Sequence, residues 1–213
     1  MPKRLRPTAP IAAAAVLAGD PGRALLLAQE LLEEPKMSNH ARGLWGYSGR
    51  APTGAELTIQ ATGMGGPSAA IVLADLAELG VKRTVRVGTC VAVDPECEAG
   101  ELLVAGEARG AGETALPDRE LSARLERELA GDARVTTIAS FDGAPEERGA
   151  LPVAVTATDM QTATVLARAQ ALGIAAAAVL IVEETAGGKR IADEELEDAA
   201  RRAGKAAARA LSG

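Results

Sequence analysis

The sequence predicts an α/β sandwich in a single domain, and three observations carry that reading. Short apolar runs alternate with longer runs of helical periodicity along the whole chain. The 213 residues are enough to bury a substantial core, and at 47% hydrophobic and 24% charged the composition is that of a folded chain. No internal repeat or low-complexity linker divides it. Aromatic residues make up only 1%, so the core has to be built from Ala, Val, Leu and Ile.

The elements follow in order. Residues 1–10 read as a flexible basic tail, and Ile11–Ala18 as a buried strand. Gly22–Glu34 is helical, with Asp20 as its cap and Pro21 in its first turn. Leu57–Thr62 is a strand, and Ser68–Leu79 a helix stopped by Gly80. Thr84–Val87 and Leu102–Ala105 are core strands, and Asp118–Ala130 is an exposed helix rich in Glu and Arg. Val135–Ala139 and Val153–Ala157 are strands separated by the polar loop "FDGAPEERGA". Thr162–Leu172 is helical, "IAAAAVLIVEE" is a buried strand ending in two acids, and Asp193–Leu211 forms a terminal amphipathic helix with acids early and bases late.

Composition also excludes. A net charge of −6 argues against general nucleic-acid binding, which needs a basic face. Two cysteines, Cys90 and Cys97, make no disulfide framework and suit a reducing, cytoplasmic compartment. A single histidine, His40, rules out a metal site built on several imidazoles, and no metal is expected. No run approaches the ~20 apolar residues of a membrane span. The start "MPKRLRPTAPIAAAAVLAG" also has the look of a secretory signal, but the turn and amphipathic helix behind it favour a strand.

Four apolar runs end in notable residues: "AGDPGR", "TGMGGPS", "RVGTCV" and "IVEET". In open α/β sheets ligands sit at the carboxyl ends of strands, so these four ends define one candidate site. Arg23 stands at the mouth of a helix behind glycines, as in an anion site, although a plain turn explains it equally. Arg86 lies inside a strand of Thr and Val, which is costly unless it is paired. Either it bonds a buried acid or carbonyls, or Arg23 and Arg86 grip a phosphate with the Thr89 hydroxyl and glycine-flanked amides.

The stretches "GDPGRA", "ARGLWGYSG", "TGMGGPSAAI", "LGVKRTVRVGTC" and "ATDMQTATV" resemble, in order and near spacing, the nucleoside phosphorylases that include the bacterial purine and uridine enzymes. The resemblance covers most of the chain. It implies a three-layer αβα sandwich with a central mixed twisted sheet, assembled from dimers up to hexamers. It also implies phosphorolysis of a nucleoside to free base and ribose 1-phosphate, with inorganic phosphate as co-substrate and no cofactor. Carried over by motif, Gly19, Arg23, Arg86 and Thr89 bind phosphate, with Arg42 added from the neighbouring subunit. Met64, Asp159, Met160 and Gln161 face the ribose, and Cys90, Val91 and Phe141 the base. Glu184 takes the place of the acid that protonates the leaving base, with Glu183 beside it, unless both simply open a loop.

This chain departs from the family at several points. The Glu-Met-Glu signature is here Asp159-Met160-Gln161, Thr89 stands for a Ser, and Val91 for a Gly that would narrow the base pocket. The N-terminal His that reaches the sugar 5′-oxygen has no counterpart, since only Lys3, Arg4 and Arg6 lie near it; a cation there would suit a 5′-phosphate or a carboxylate, or be part of a solvated tail. The Ser140–Asp159 stretch is short. Phe141 either stacks on a base or plugs the core, His40 is expected at the surface, and Trp45 and Tyr47 at an interface or capping the core. The favoured activity is purine phosphorolysis. A uridine phosphorylase lacks its Gln and Arg pair here, a nucleosidase would not need three arginines, and a non-catalytic phosphate or nucleotide binder is the reading from outside the enzymes.

Overall fold

The computed structural model describes residues 2–110, 113–143 and 154–213. Among them ten strands form one mixed sheet: β1 (Ala14–Ala18), β2 (Glu33–Asn39), β3 (Gly46–Arg50), β4 (Glu56–Ala61), β5 (Arg83–Ala92), β6 (Leu102–Gly110), β7 (Glu113–Ala115), β8 (Ala133–Ser140), β9 (Ala157–Asp159) and β10 (Ala175–Glu184). Five helices flank it: α1 (Pro21–Leu31), α2 (Gly65–Glu78), α3 (Arg119–Leu129), α4 (Thr162–Ala171) and α5 (Asp193–Ser212).

The expected three layers are present. Helices α1, α3 and α5 pack an aliphatic cluster on one face, around Val16, Leu27, Val85, Leu125 and Ala203. Helices α2 and α4 pack the other, around Leu17, Leu73, Leu76 and Leu166. The register adds something the alternating pattern does not contain. β5 pairs with β10, β10 with β6, β6 with β8, β8 with β9, and β9 with β5 again, so these five strands close on themselves. Cys90, Leu103, Ile138, Ala178 and Leu180 pack together as a third cluster drawn from these strands. β1, β4, β3 and β2 extend the sheet from the other side of β5. Because β1, β4, β5 and β10 run parallel, four of their carboxyl ends open on the same side.

Local chemistry sets the helix starts. The Asp20 side chain accepts from the Arg23 amide at 2.7 Å, and Pro21 occupies the first turn of α1. Helix α2 begins at Gly65, three residues before the expected Ser68, because its cap comes from a distant part of the chain: Asp142 Oδ1 accepts from the Gly66 amide at 2.6 Å. A side chain at Gly66 would collide with Thr164 Oγ1 and that same carboxylate. Helix α1 stops at Leu31 instead of Glu34, and the chain turns into β2, an edge strand that tolerates Pro35. Strands β2 and β3 lie outside the sequence reading, since "EEPKMSN" and "GYSGR" carry no apolar alternation. Tyr47 is buried on β3. The polar loop lies outside the described residues from 144 onward, as does the Val153 start of the expected strand; its described part pairs only over Ala157–Asp159.

The N-terminal residues need correction. Read as a flexible tail, they are held in place: Asp75, 2% exposed, accepts the amides of Lys3, Arg4 and Leu5 at 3.2, 2.6 and 2.8 Å. Leu5 is buried, and the Arg6 amide donates to Asn39 Oδ1 at 2.8 Å. Burial pushes the Asp75 carboxyl up, but the three amides and the Arg4 charge outweigh it and hold it below its ordinary value. Such a group adds stability above its unfolded pKa, about 4, and loses it as pH falls through the lower folded value. Asp75→Ala should therefore cost about 2 kcal/mol and lower Tm by roughly 4–8 °C at pH 7. The difference from the parent should shrink in melts taken at successively lower pH beneath the unfolded pKa. A melt at pH 7 within 1 °C of the parent would show that the anchor contributes nothing.

Candidate active site

The carboxyl ends of the parallel strands enclose a cleft of about 620 Å³. The turn after β1 brings Gly19, Asp20 and Arg23 to it; the loop before α2 brings Gly63, Met64 and Gly65; β5 brings Arg86, Thr89, Cys90 and Val91. Phe141 closes it from the end of β8, Asp159, Met160 and Gln161 from the end of β9, Glu183 from the end of β10, and Arg190 from beyond it. Eleven of the thirteen site residues expected from sequence thus share one cleft, and Arg42 and Glu184 lie outside it.

Arg86 is the buried centre of the floor, 4% exposed. Its Nε donates to Thr162 Oγ1 at 3.2 Å, Nη1 to Gln161 Oε1 at 2.8 Å, and Nη2 to Asp159 Oδ2 at 2.9 Å. The sequence left open whether Arg86 meets a buried acid or an anion. It meets the acid, and one N–H on each Nη is left over from these three bonds. Gly88 makes this possible: a Cβ there would sit 2.6 Å from Arg86 Nη2, so the guanidinium lies over the glycine.

Arg23 differs. No ion pair engages its guanidinium among the described residues, although it faces a cleft that also holds Asp20 and Glu183. Burial, the largest influence, lowers its pKa; Asp20 opposes that, and the nearby Arg86 charge reinforces it. Both positive charges therefore lie close together in a partly desolvated cleft, the arrangement that favours a bound anion. Cys90 offers no nucleophile, because burial holds its thiol well above the usual range.

A family model described as the phosphorylase superfamily matches residues 13–213. The chain belongs to the phosphorylase superfamily. Among curated relatives it is similar to a purine nucleoside phosphorylase DeoD-type from Oceanobacillus iheyensis, 41% identical over 91 residues, which is 42% of this chain and 38% of that protein. It is similar to a purine nucleoside phosphorylase DeoD-type from Caldanaerobacter subterraneus subsp. tengcongensis, 38% identical over 96 residues, 45% of this chain and 41% of the relative. The matches thus span about two fifths of the length of these relatives.

Within this superfamily member, the two outlying residues have clear positions. Val182 pairs with Cys90 and Glu184 with Val91, so a bulge leaves Glu183 as the extra residue, and it is Glu183 that lines the cleft. Glu184 instead pairs across a bridge with Arg190, Oε2 to Nε 3.0 Å. Alternation along a strand does not reveal a bulge, which is why the sequence pointed one residue too far. Arg42 sits at φ 61° in a turn and lines a separate hollow of about 380 Å³ with Arg4, Leu44, Gly63, Ser68 and Ile71. Gly63 borders both cavities. Arg190, a cleft residue no motif announced, is brought in when Thr185 to Arg190 fold back on the end of β10. His40 is exposed beside the Arg42 turn, and Trp45 packs against the α1 side of the core.

Proposed function

We propose that this protein cleaves purine nucleosides with inorganic phosphate, and that the carrying observation is Arg23, a guanidinium in the cleft with no ion pair among the described residues. Phosphate sits between Arg23, the two remaining N–H groups of Arg86, the Thr89 hydroxyl and the Gly19 turn. One of its oxygens forms a bond to C1′ while the C1′–N bond breaks and its electron pair passes to the base. Glu183, the carboxyl that lines the cleft, serves as general acid toward a base nitrogen. The products are the free base and a pentose 1-phosphate. The sugar lies along Met64 and Met160, and the base against Cys90, Val91 and Phe141. The names of the curated relatives support the purine reading. The reaction read this way uses no cofactor, and the two free, buried cysteines suit the cytoplasm.

The assembly belongs to the same proposal. Arg42 is exposed outside the cleft of its own chain, in a hollow shared with Ile71 at 41% exposure and with Gly63, the neighbour in sequence of Met64 at 83%. An exposed apolar margin next to an arginine fits a homodimer in which Arg42 completes a neighbour's phosphate site, with larger assemblies built from that pair. Mixing Arg42→Ala with Arg23→Ala subunits should then restore part of the activity that each lacks alone. No recovery on mixing would assign Arg42 elsewhere.

The primary test is base release from inosine, adenosine, guanosine and uridine, with and without ~10 mM phosphate, above the usual Michaelis constants. Release from the purines that depends on phosphate is expected, with Arg23→Ala raising KM for phosphate roughly tenfold to a hundredfold. Release without phosphate would make the protein a hydrolase. Phosphate binding without any release would make it a binder.

A further inference from the structure

The polar side chains beside Met160 have no acceptor capacity to spare. Asp159 Oδ1 accepts from Ser140 Oγ at 2.5 Å and the Thr162 amide at 3.2 Å. Its Oδ2 accepts from Arg86 Nη2 at 2.9 Å, the Thr162 amide at 3.0 Å and Thr162 Oγ1 at 2.7 Å. A carboxylate offers about four lone-pair positions, and these donors fill them.

Gln161, 2% exposed, is equally committed. Its Oε1 accepts from Arg86 Nη1 at 2.8 Å and, at 2.9 Å, from Thr62 Oγ1, whose one hydrogen is shared with the Ala18 carbonyl at 3.1 Å. Its Nε2 gives its hydrogens to the carbonyls of Gly63 at 2.6 Å and Gly65 at 3.2 Å. The amide cannot be reversed, since its nitrogen would then meet a guanidinium and its oxygen two carbonyls. Gln161 therefore ties Arg86 to the Gly63–Gly65 loop, and an amide is the group that can do both.

We propose that Gln161, by spending its amide on Arg86, Thr62 and the Gly63–Gly65 loop, makes this cleft select a 2-deoxypentosyl group over a pentosyl group. The inference rests on the phosphorolysis reading above. A 2′-hydroxyl brought against this wall gives up water and meets acceptors already occupied, whereas a 2′-methylene meets the apolar surfaces of Met64 and Met160 without loss. Gln161 is here a positioning and specificity residue: it acts through the loop and Arg86.

The test compares kcat/KM for 2′-deoxyinosine and inosine at saturating phosphate, so that the base is held constant. The deoxynucleoside should be favoured about tenfold or more, the effect of one buried hydroxyl left without an acceptor. In Gln161→Glu one carboxylate oxygen keeps Arg86, while the other is repelled by the Gly63 and Gly65 carbonyls and is free to accept from a sugar hydroxyl. The ratio should then move about tenfold toward inosine. A merely structural role would lower both substrates alike. Equal use of the two nucleosides, a preference for inosine, or an unchanged ratio in Gln161→Glu would overturn the inference while phosphorolysis stands. Absence of release from either would overturn phosphorolysis, and calorimetric titration with 2-deoxyribose 1-phosphate and ribose 1-phosphate would then decide this point. Tighter binding of the deoxy sugar by about tenfold supports it; equal binding, or none, overturns it.

Discussion

Arg86→Ala should destabilise the protein by roughly 3–5 kcal/mol, because it strips the partner from a buried carboxylate. Asp159 has a side chain only 1% exposed, and Arg86 Nη2 lies 2.9 Å from it. Without the guanidinium, Asp159 retains Ser140 and Thr162 as donors but no counter-charge, and Gln161 and Thr162 each lose a donor. For a chain of this length Tm should fall by roughly 6–20 °C. Urea titration of Arg86→Met, Asp159→Leu and the double variant Arg86→Met/Asp159→Leu measures the coupling. The double variant should be markedly more stable than Arg86→Met, because replacing both charges by apolar side chains removes the buried ions together. An Arg86→Ala protein within 1 kcal/mol of the parent would mean that Asp159 does not depend on the pair, and would return Arg86 wholly to anion binding.

That expectation also shows where sequence and structure part company. An arginine among Thr and Val in a core strand announced a buried charge, and Asp159 was in view as a site residue. Nothing local linked the two, since 73 residues separate them and the pairing depends on β9 folding across the end of β5. The core helices and parallel strands were legible because their apolar periodicity is strong. β2 and β3 were not, because a polar edge hairpin leaves no such trace. Asp142 as the cap of α2 and Asp75 as the anchor of residues 3–5 failed for the same reason as the ion pair: a carboxylate that serves backbone amides 70 or more residues away has no spacing to read. The cleft itself was largely legible, because ligand-facing residues cluster at strand ends and each end carried its own short motif. The exception was the end of β10.

There the second expected result applies. Glu183→Gln should lower kcat/KM for base release by roughly 10²–10⁴, the usual worth of a positioned general acid, while Glu184→Gln should stay within about threefold of the parent. The two residues differ in placement rather than chemistry. Glu183 is the bulged residue between the Val182–Cys90 and Glu184–Val91 pairs, and it lines the cleft. Glu184 is drawn to Arg190 at 3.0 Å, an arginine 69% exposed, so that pair contributes at most about 1 kcal/mol of stability and its loss should not unfold the loop. Arg190 Nη2 also reaches within 3.7 Å of Glu183 Oε1. Arg190→Ala should therefore not slow release as Glu183→Gln does, because a nearby cation opposes, and its loss favours, a carboxyl that has to hold a proton. Assaying release at fixed saturating phosphate separates this effect from weakened anion binding, since Arg23 and Arg86 are untouched. If Glu184→Gln were the damaging substitution and Glu183→Gln the silent one, the strand end would have to shift by one residue when substrate enters, and the bulge would be the hinge that permits it.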